Sequence, residues 1–112
     1  MPINSRAKGK AGELEISHVL QEYGFDVHRG QQHKGGADSP DVYGIPGIHA
    51  EVKRVERLNI SDAMAQAIRD SEGIDIPAVF HRKNREKWMV TMRLDDWILL
   101  YKAFIADKGI SQ

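Results

Sequence analysis

Residues 39–55 read Ser-Pro-Asp-Val-Tyr-Gly-Ile-Pro-Gly-Ile-His-Ala-Glu-Val-Lys-Arg-Val. Asp41 to Gly44 makes a short strand, Pro46-Gly47 is a turn signal, and Ile48 to Val55 makes a second strand, so the segment folds as a hairpin. Side chains alternate across a strand. His49, Glu51 and Lys53 therefore share one face, with Ile48, Ala50 and Val52 on the other. Burying an unpaired charge is costly, so each charged group on that face must meet a partner, a metal or water. Asp41, on the neighbouring strand, can bring a second carboxylate beside Glu51. Two such groups held close repel unless a cation lies between them, and hard oxygen ligands of this kind suit Mg²⁺. A plain Glu51–Lys53 ion pair on an edge strand, with Asp41 as a turn residue, is the alternative reading.

Working outward, Ile16, Val19, Leu20 and Tyr23 recur at helical spacing in a helix from Lys10 to Tyr23, with Gly24 as its stop. Phe25 to His28 alternates like a strand. A loop carrying Gly35-Gly36 runs from Gly30 to Pro40. Downstream, Ser61 can cap a helix from Asp62 to Ser71 that turns Met64, Ala67, Ile68 and Ser71 inward. Ile76 to His81 and Lys87 to Met92 give two more strands around a basic turn, Arg82 to Glu86. A helix over Leu94 to Phe104 closes the chain, its N-terminal dipole favoured by Asp95 and Asp96. The order is αβββαββα, and helices on both faces of a mixed sheet make this an α/β (α+β) domain.

The 112 residues suit one domain over 1–112, with residues 1–9 as a mobile basic arm. The absence of cysteine excludes disulfides and thiolate metal sites and fits a reducing compartment. No apolar run approaches a membrane span, and the polar start does not read as a secretory signal, so a cytoplasmic protein is expected. Net charge is zero, yet its distribution is blocky. Basic groups load the N-terminus and residues 82–87, while the acids lie mainly between. Local fields outweigh the total where screening acts over about 8 Å.

Gly12-Glu13 on the first helix, Ser39-Pro40-Asp41, and Glu51-Val52-Lys53 together resemble the signature of the PD-(D/E)xK nuclease superfamily. Within it the chain most resembles archaeal-type Holliday-junction resolvases and related small phage nucleases, over Lys8 to Met92. The resemblance implies a restriction-endonuclease-like core and a Mg²⁺-dependent endonuclease, with Mn²⁺ able to substitute. Asp41 and Glu51 would bind the ion, Glu13 would approach it, and Lys53 would orient water and steady the phosphate. Periodicity alone does not choose between Glu13 and Glu15, which border opposite edges of the buried stripe; the motif does.

Such an enzyme would act on DNA, most naturally at four-way junctions, and as a homodimer with two active sites. Flaps, ends or ordinary duplex are alternative substrates, and a noncatalytic DNA-binding module is a rival of another class. Phage origin, with action in the host cytoplasm, follows from the resemblance only. Lys8, Lys10, Arg29, Lys34, Arg54, Arg57, Arg82, Lys83 and Arg85 are the expected phosphate contacts. His49 is expected to be a hydrogen-bonded strand residue rather than a ligand. Gln66, opposite Met64 and Ile68 by helical phase, is expected to be solvated, although several families of the superfamily carry a glutamine near the site. Asp38 could compete with Asp41, but it does not follow the proline. Trp97, Leu100, Tyr101 and Phe104 give the last helix more apolar surface than one sheet face needs, which suits either a monomer core or a dimer interface.

Overall fold

The computed structural model describes residues 5–30 and 40–111. Its elements are α1 (Ser5–Glu22), β1 (His28–Arg29), β2 (Val42–Tyr43), β3 (Ile48–Arg54), α2 (Ile60–Ser71), β4 (Ile76–Arg82), β5 (Met89–Met92) and α3 (Leu94–Lys108). This is the expected order, built around one five-stranded mixed sheet whose strands lie in chain order. Only β3 and β4 run parallel, because α2 carries the chain back across the sheet; every other neighbouring pair is antiparallel. Parallel neighbours need such a crossover, whereas antiparallel ones need only a turn.

Alternation along β3 divides the core in two. Ala50 and Val52 meet Ile16, Val27, Val42, Ala78 and Phe80 on the α1 face. On the opposite face Val79 packs against Ala63 and Ala67 of α2. The small residues of α2 let the helix lie close to the strands. Gly12 does the same for α1, because a Cβ there would fall 2.6 Å from Cβ of Arg54.

Several local expectations change. The arm expected over 1–9 is helical from Ser5; residues 1–4 lie outside the described residues, as do 31–39 with Lys34 and Asp38. Tyr23 and Phe25 are exposed rather than in the stripe or the strand, since α1 ends at Glu22 and β1 begins only at His28. Asn59, not Ser61, caps α2, its side chain accepting from the Asp62 amide at 3.1 Å. That start goes with a different inner face: Ala63, Ala67, Asp70 and Ser71 are buried, and Ile68 is exposed.

The last helix departs most. Of its residues only Asp96 is buried, and α3 packs on neither face of the sheet. It projects from a molecule measuring 56 × 31 × 27 Å, with Tyr101 stacked between Trp97 and Phe104 along its side.

Candidate active site

Asp41 is fixed by the backbone around it. Its carbonyl accepts from the Gly30 amide at 2.7 Å and its own amide donates to the Ala50 carbonyl at 2.9 Å. Its carboxylate oxygen Oδ2 accepts from the Val52 amide at 2.8 Å. Gly30 is needed for this approach, since a Cβ there would lie 2.7 Å from the Pro40 carbonyl oxygen. Three hydrogen bonds thus set Asp41 beside β3.

Glu51 is only 1% exposed. Burial, then the neighbouring Asp41 carboxylate with its charge and hydrogen bond, then the charge of Asp70, push its pKa up to about 9 against the opposing pull of Lys53. Glu13 projects from α1 toward the same centre. Its pKa is also raised, first by burial and next by Asp41, while Arg29 and Lys53 oppose. Arg29 Nε donates to Glu13 Oε1 at 2.9 Å, so this arginine holds a carboxylate of its own chain instead of standing ready for phosphate. The structure thus brings Asp41, Glu51, Lys53 and Glu13 together and gives Glu15 a separate place.

Gln66 belongs to this group and is not simply solvated. Its Oε1 accepts from Lys53 Nζ at 3.2 Å. Its Nε2 lies 3.5 Å from Glu51 Oε2, at the edge of hydrogen-bonding range. The inner face of α2 is rotated from the expected one, which carries Gln66 to the sheet. The same rotation buries Asp70, one helical turn on, which sequence reasoning missed. A spacing of four from Gln66 and the small pair Ala63 and Ala67 were the available signals.

Buried His49 places Nε2 3.0 Å from Glu51 Oε1. One ligand atom each from His49, Glu51 and Asp70 lie within 4.8 Å of one another, and this cluster could hold a metal ion. Of the expected ligands only Glu51 belongs to this cluster: Asp41 lies close enough to raise the Glu51 pKa and Glu13 feels the charges of Asp41 and Lys53, but neither joins the set. Crowded carboxylates that keep a proton on Glu51 are a group a divalent cation would relax, so the residues present fit such an ion. Oxygen donors suit Mg²⁺, and an added imidazole broadens the choice toward Mn²⁺.

The basic residues fall into two groups. Glu15 accepts from Arg82 and, at 3.5 Å, from Arg54 Nε, and it takes the indole N–H of Trp88 at 3.1 Å. Arg54 also donates to Asn84 Oδ1 at 2.9 Å. Arg54 and Arg82 are therefore structural ties between α1, β3 and the β4–β5 hairpin. Lys10, Arg57, Lys83 and Arg85 are exposed and form no ion pair among the described residues. Arg57 and Lys83 line a concavity of about 650 Å³ with His81, whose pKa burial lowers. The side chain of Lys8 lies outside the described residues.

No protein-family model and no curated protein matches the chain. Among solved structures it is similar to Hjc, a Holliday junction resolvase from the archaeal hyperthermophile Archaeoglobus fulgidus. The identity is 23%, over 76% of this chain and 72% of that chain, with a TM-score of 0.58. At that distance the likeness speaks for architecture: this chain has the mixed-sheet α+β nuclease fold seen in an archaeal Holliday junction resolvase.

Proposed function

We propose that the chain is a metal-dependent DNA endonuclease acting on branched DNA. The convergence of Asp41, Glu51 and Lys53 carries this reading. A scaffold has no use for a buried carboxylate pressed against another, because each such contact costs stability. A site that must gather positive charge at a phosphate does have a use for it. Asp41 and Glu51 would hold the divalent ion, Mg²⁺ or Mn²⁺, with Glu13 beside them. When bound, the ion polarises a phosphodiester and lowers the pKa of its water.

The chain's own residues supply the rest. Lys53 keeps its ammonium at the mouth of the site through Gln66, where it meets a phosphate oxygen or the attacking water. Gln66, touching both Lys53 and Glu51, positions one against the other. Lys10, Arg57, Lys83 and Arg85 offer charge to the DNA backbone and set register without reading bases. Likeness of fold to a junction resolvase supports a four-way junction as substrate. Two symmetric strands then call for two chains, and the cysteine-free composition suits action in the cytoplasm.

The test is cleavage of labelled four-way junction, flap, linear duplex and RNA with Mg²⁺ present. Cutting confined to the junction, and lost in Asp41→Ala and Lys53→Ala proteins that keep their circular dichroism, is the expected outcome. Equal cutting of all substrates would leave the nuclease and remove the resolvase. DNA binding without cleavage in either Mg²⁺ or Mn²⁺ would make the chain a binding module.

A further inference from the structure

We propose that His49, Glu51 and Asp70 form a second, inner cation site between β3 and α2, which takes Zn²⁺ in preference to Mg²⁺ and shares Glu51 with the outer site beside Asp41. The inner site stands apart from the nuclease reading; only its effect on cleavage rests on that reading. Period two sends His49 and Glu51 to the same face of β3, and Asp70 comes to them from the buried side of α2. The three are 4%, 1% and 8% exposed. One donor atom from each lies within 4.8 Å of the other two. Donors held about 2.1 Å from a tetrahedral ion stand about 3.4 Å apart, so a movement on the order of 1 Å closes the three around a cation.

A hydrogen-bonded strand histidine accounts for two of the three groups. His49 Nε2 and Glu51 Oε1 satisfy each other at 3.0 Å. Asp70 is left over. It accepts no hydrogen bond among the described residues, and its ion pair there is a loose one, 3.9 Å from Nε of the exposed Arg69. Lys53 does not fill the gap, because its Nζ donates to Gln66 Oε1. A buried carboxylate without a donor, set beside another carboxylate, is costly, and a cation between them removes the cost. A dication against two carboxylates and a neutral imidazole leaves the buried cluster with no net charge.

The donor set chooses the ion. Mg²⁺ takes oxygen ligands and keeps several waters, for which three nearly buried side chains leave little room. Zn²⁺ accepts imidazole and carboxylate together, with three protein ligands and a fourth position for water. At a mixed nitrogen and oxygen site it also binds more tightly than Mn²⁺. Glu51 carries the link to the outer site. Its Oε1 faces His49, while Oε2 lies 3.5 Å from Gln66 Nε2. An inner ion takes up carboxylate charge that an ion beside Asp41 would use, and two dications on one carboxylate repel. Each therefore weakens the other by the same factor, which makes Zn²⁺ a brake on Mg²⁺-dependent cleavage.

Calorimetric titration of the chelator-stripped full chain with Zn²⁺, alone and with saturating Mg²⁺, reads both the site and the linkage without any cleavage. We expect one tight Zn²⁺ per chain, bound more weakly when Mg²⁺ is present. His49→Gln and Asp70→Asn should each weaken Zn²⁺ by more than the roughly 10- to 100-fold that loss of an outer-shell partner costs. Asp41→Ala should keep Zn²⁺ and lose Mg²⁺, with circular dichroism confirming the fold of all three. Ring resonances of His49 in the unmodified chain should move on adding Zn²⁺, a readout that needs no variant to fold. Resonance changes confined to other histidines, such as the exposed His28 beside Asp26, would overturn the proposal. So would Zn²⁺ affinity unmoved in both His49→Gln and Asp70→Asn, or Zn²⁺ and Mg²⁺ lost together in Asp41→Ala, which means a single site. Zn²⁺ bound at His49 in a chain that cuts no DNA under Mg²⁺ would uphold the inner site and remove the nuclease reading alone.

Discussion

Replacing Glu51 by glutamine should make the metal-free protein more stable while destroying its site. The carboxyl of Glu51 sits at about 9 in the folded chain against 4.5 for an ordinary glutamate. An acid whose pKa rises on folding holds its proton in the native state after the unfolded chain has released it. Stability is therefore lost as pH rises from the unfolded value toward the folded one. Glu51 is almost wholly buried, so solvent does not screen the effect. Each pH unit inside the window costs about 1.4 kcal/mol. His81 has the opposite sign, but its depressed pKa means that its contribution changes only below its usual value of 6.5. Between pH 6.5 and 8.5 the slope belongs chiefly to Glu51, and the loss comes to about 3 kcal/mol. Urea unfolding in EDTA at both pH values, followed by circular dichroism, measures it. Glu51→Gln should flatten the slope and gain most at the higher pH. Saturating Mn²⁺, at about 100 times its Kd, should restore about 2.7 kcal/mol to the wild type and nothing to the variant. A wild-type stability that is level from pH 6.5 to 8.5, or an equal slope in the variant, would refute the argument that a proton occupies a cation's place.

Gln66→Leu removes the amide between Lys53 and Glu51 and should cut cleavage about 10- to 100-fold with folding retained, the usual size for a partner that orients a metal ligand; steady-state cleavage alongside circular dichroism measures both. Asp70→Asn takes one charge from beside Glu51, so the midpoint of the pH-dependent stability loss should move to lower pH, and Mn²⁺ affinity measured by calorimetry should fall more than Mg²⁺ affinity. Gly12→Ala places a Cβ against the Arg54 stem and should destabilise the chain by about 1–3 kcal/mol in denaturant unfolding. Asn59→Ala removes the α2 cap and should cost about 1 kcal/mol in the same assay.

The hairpin was legible because period two and a Pro-Gly turn leave one register for residues 41–54. That register already places His49, Glu51 and Lys53 on one face. Glu13 was reached through the motif, and its burial against Arg29 supplies the physical reason that periodicity lacked. What escaped reading lay on α2 and α3. Of the expected inner face of α2, Ala67 and Ser71 are buried and Met64 packs beside them, but the helix is turned so that Ala63 and Asp70 are buried and Ile68 is not. The turned helix delivered Gln66 and Asp70 to the site. Basic residues looked alike in sequence, yet Glu15 and Glu13 claim three of them through contacts spanning up to 67 positions. Local patterns cannot report such long-range choices. Nor can they say that a strongly apolar helix will stand apart from its own sheet.

Asp41, His49, Glu51 and Lys53 all come from thirteen consecutive residues, so strand pairing and chemistry are written in one short text. Inserting a single residue in the 44–47 turn would shift β3 against β2 by one place, pointing Glu51 and Lys53 at the α1 core and Ala50 and Val52 at α2. No graded loss of activity is available along that route. The hairpin tolerates substitution at its exposed positions but not a change of length, and natural variation in this segment should therefore appear as exchanged residues, never as gaps.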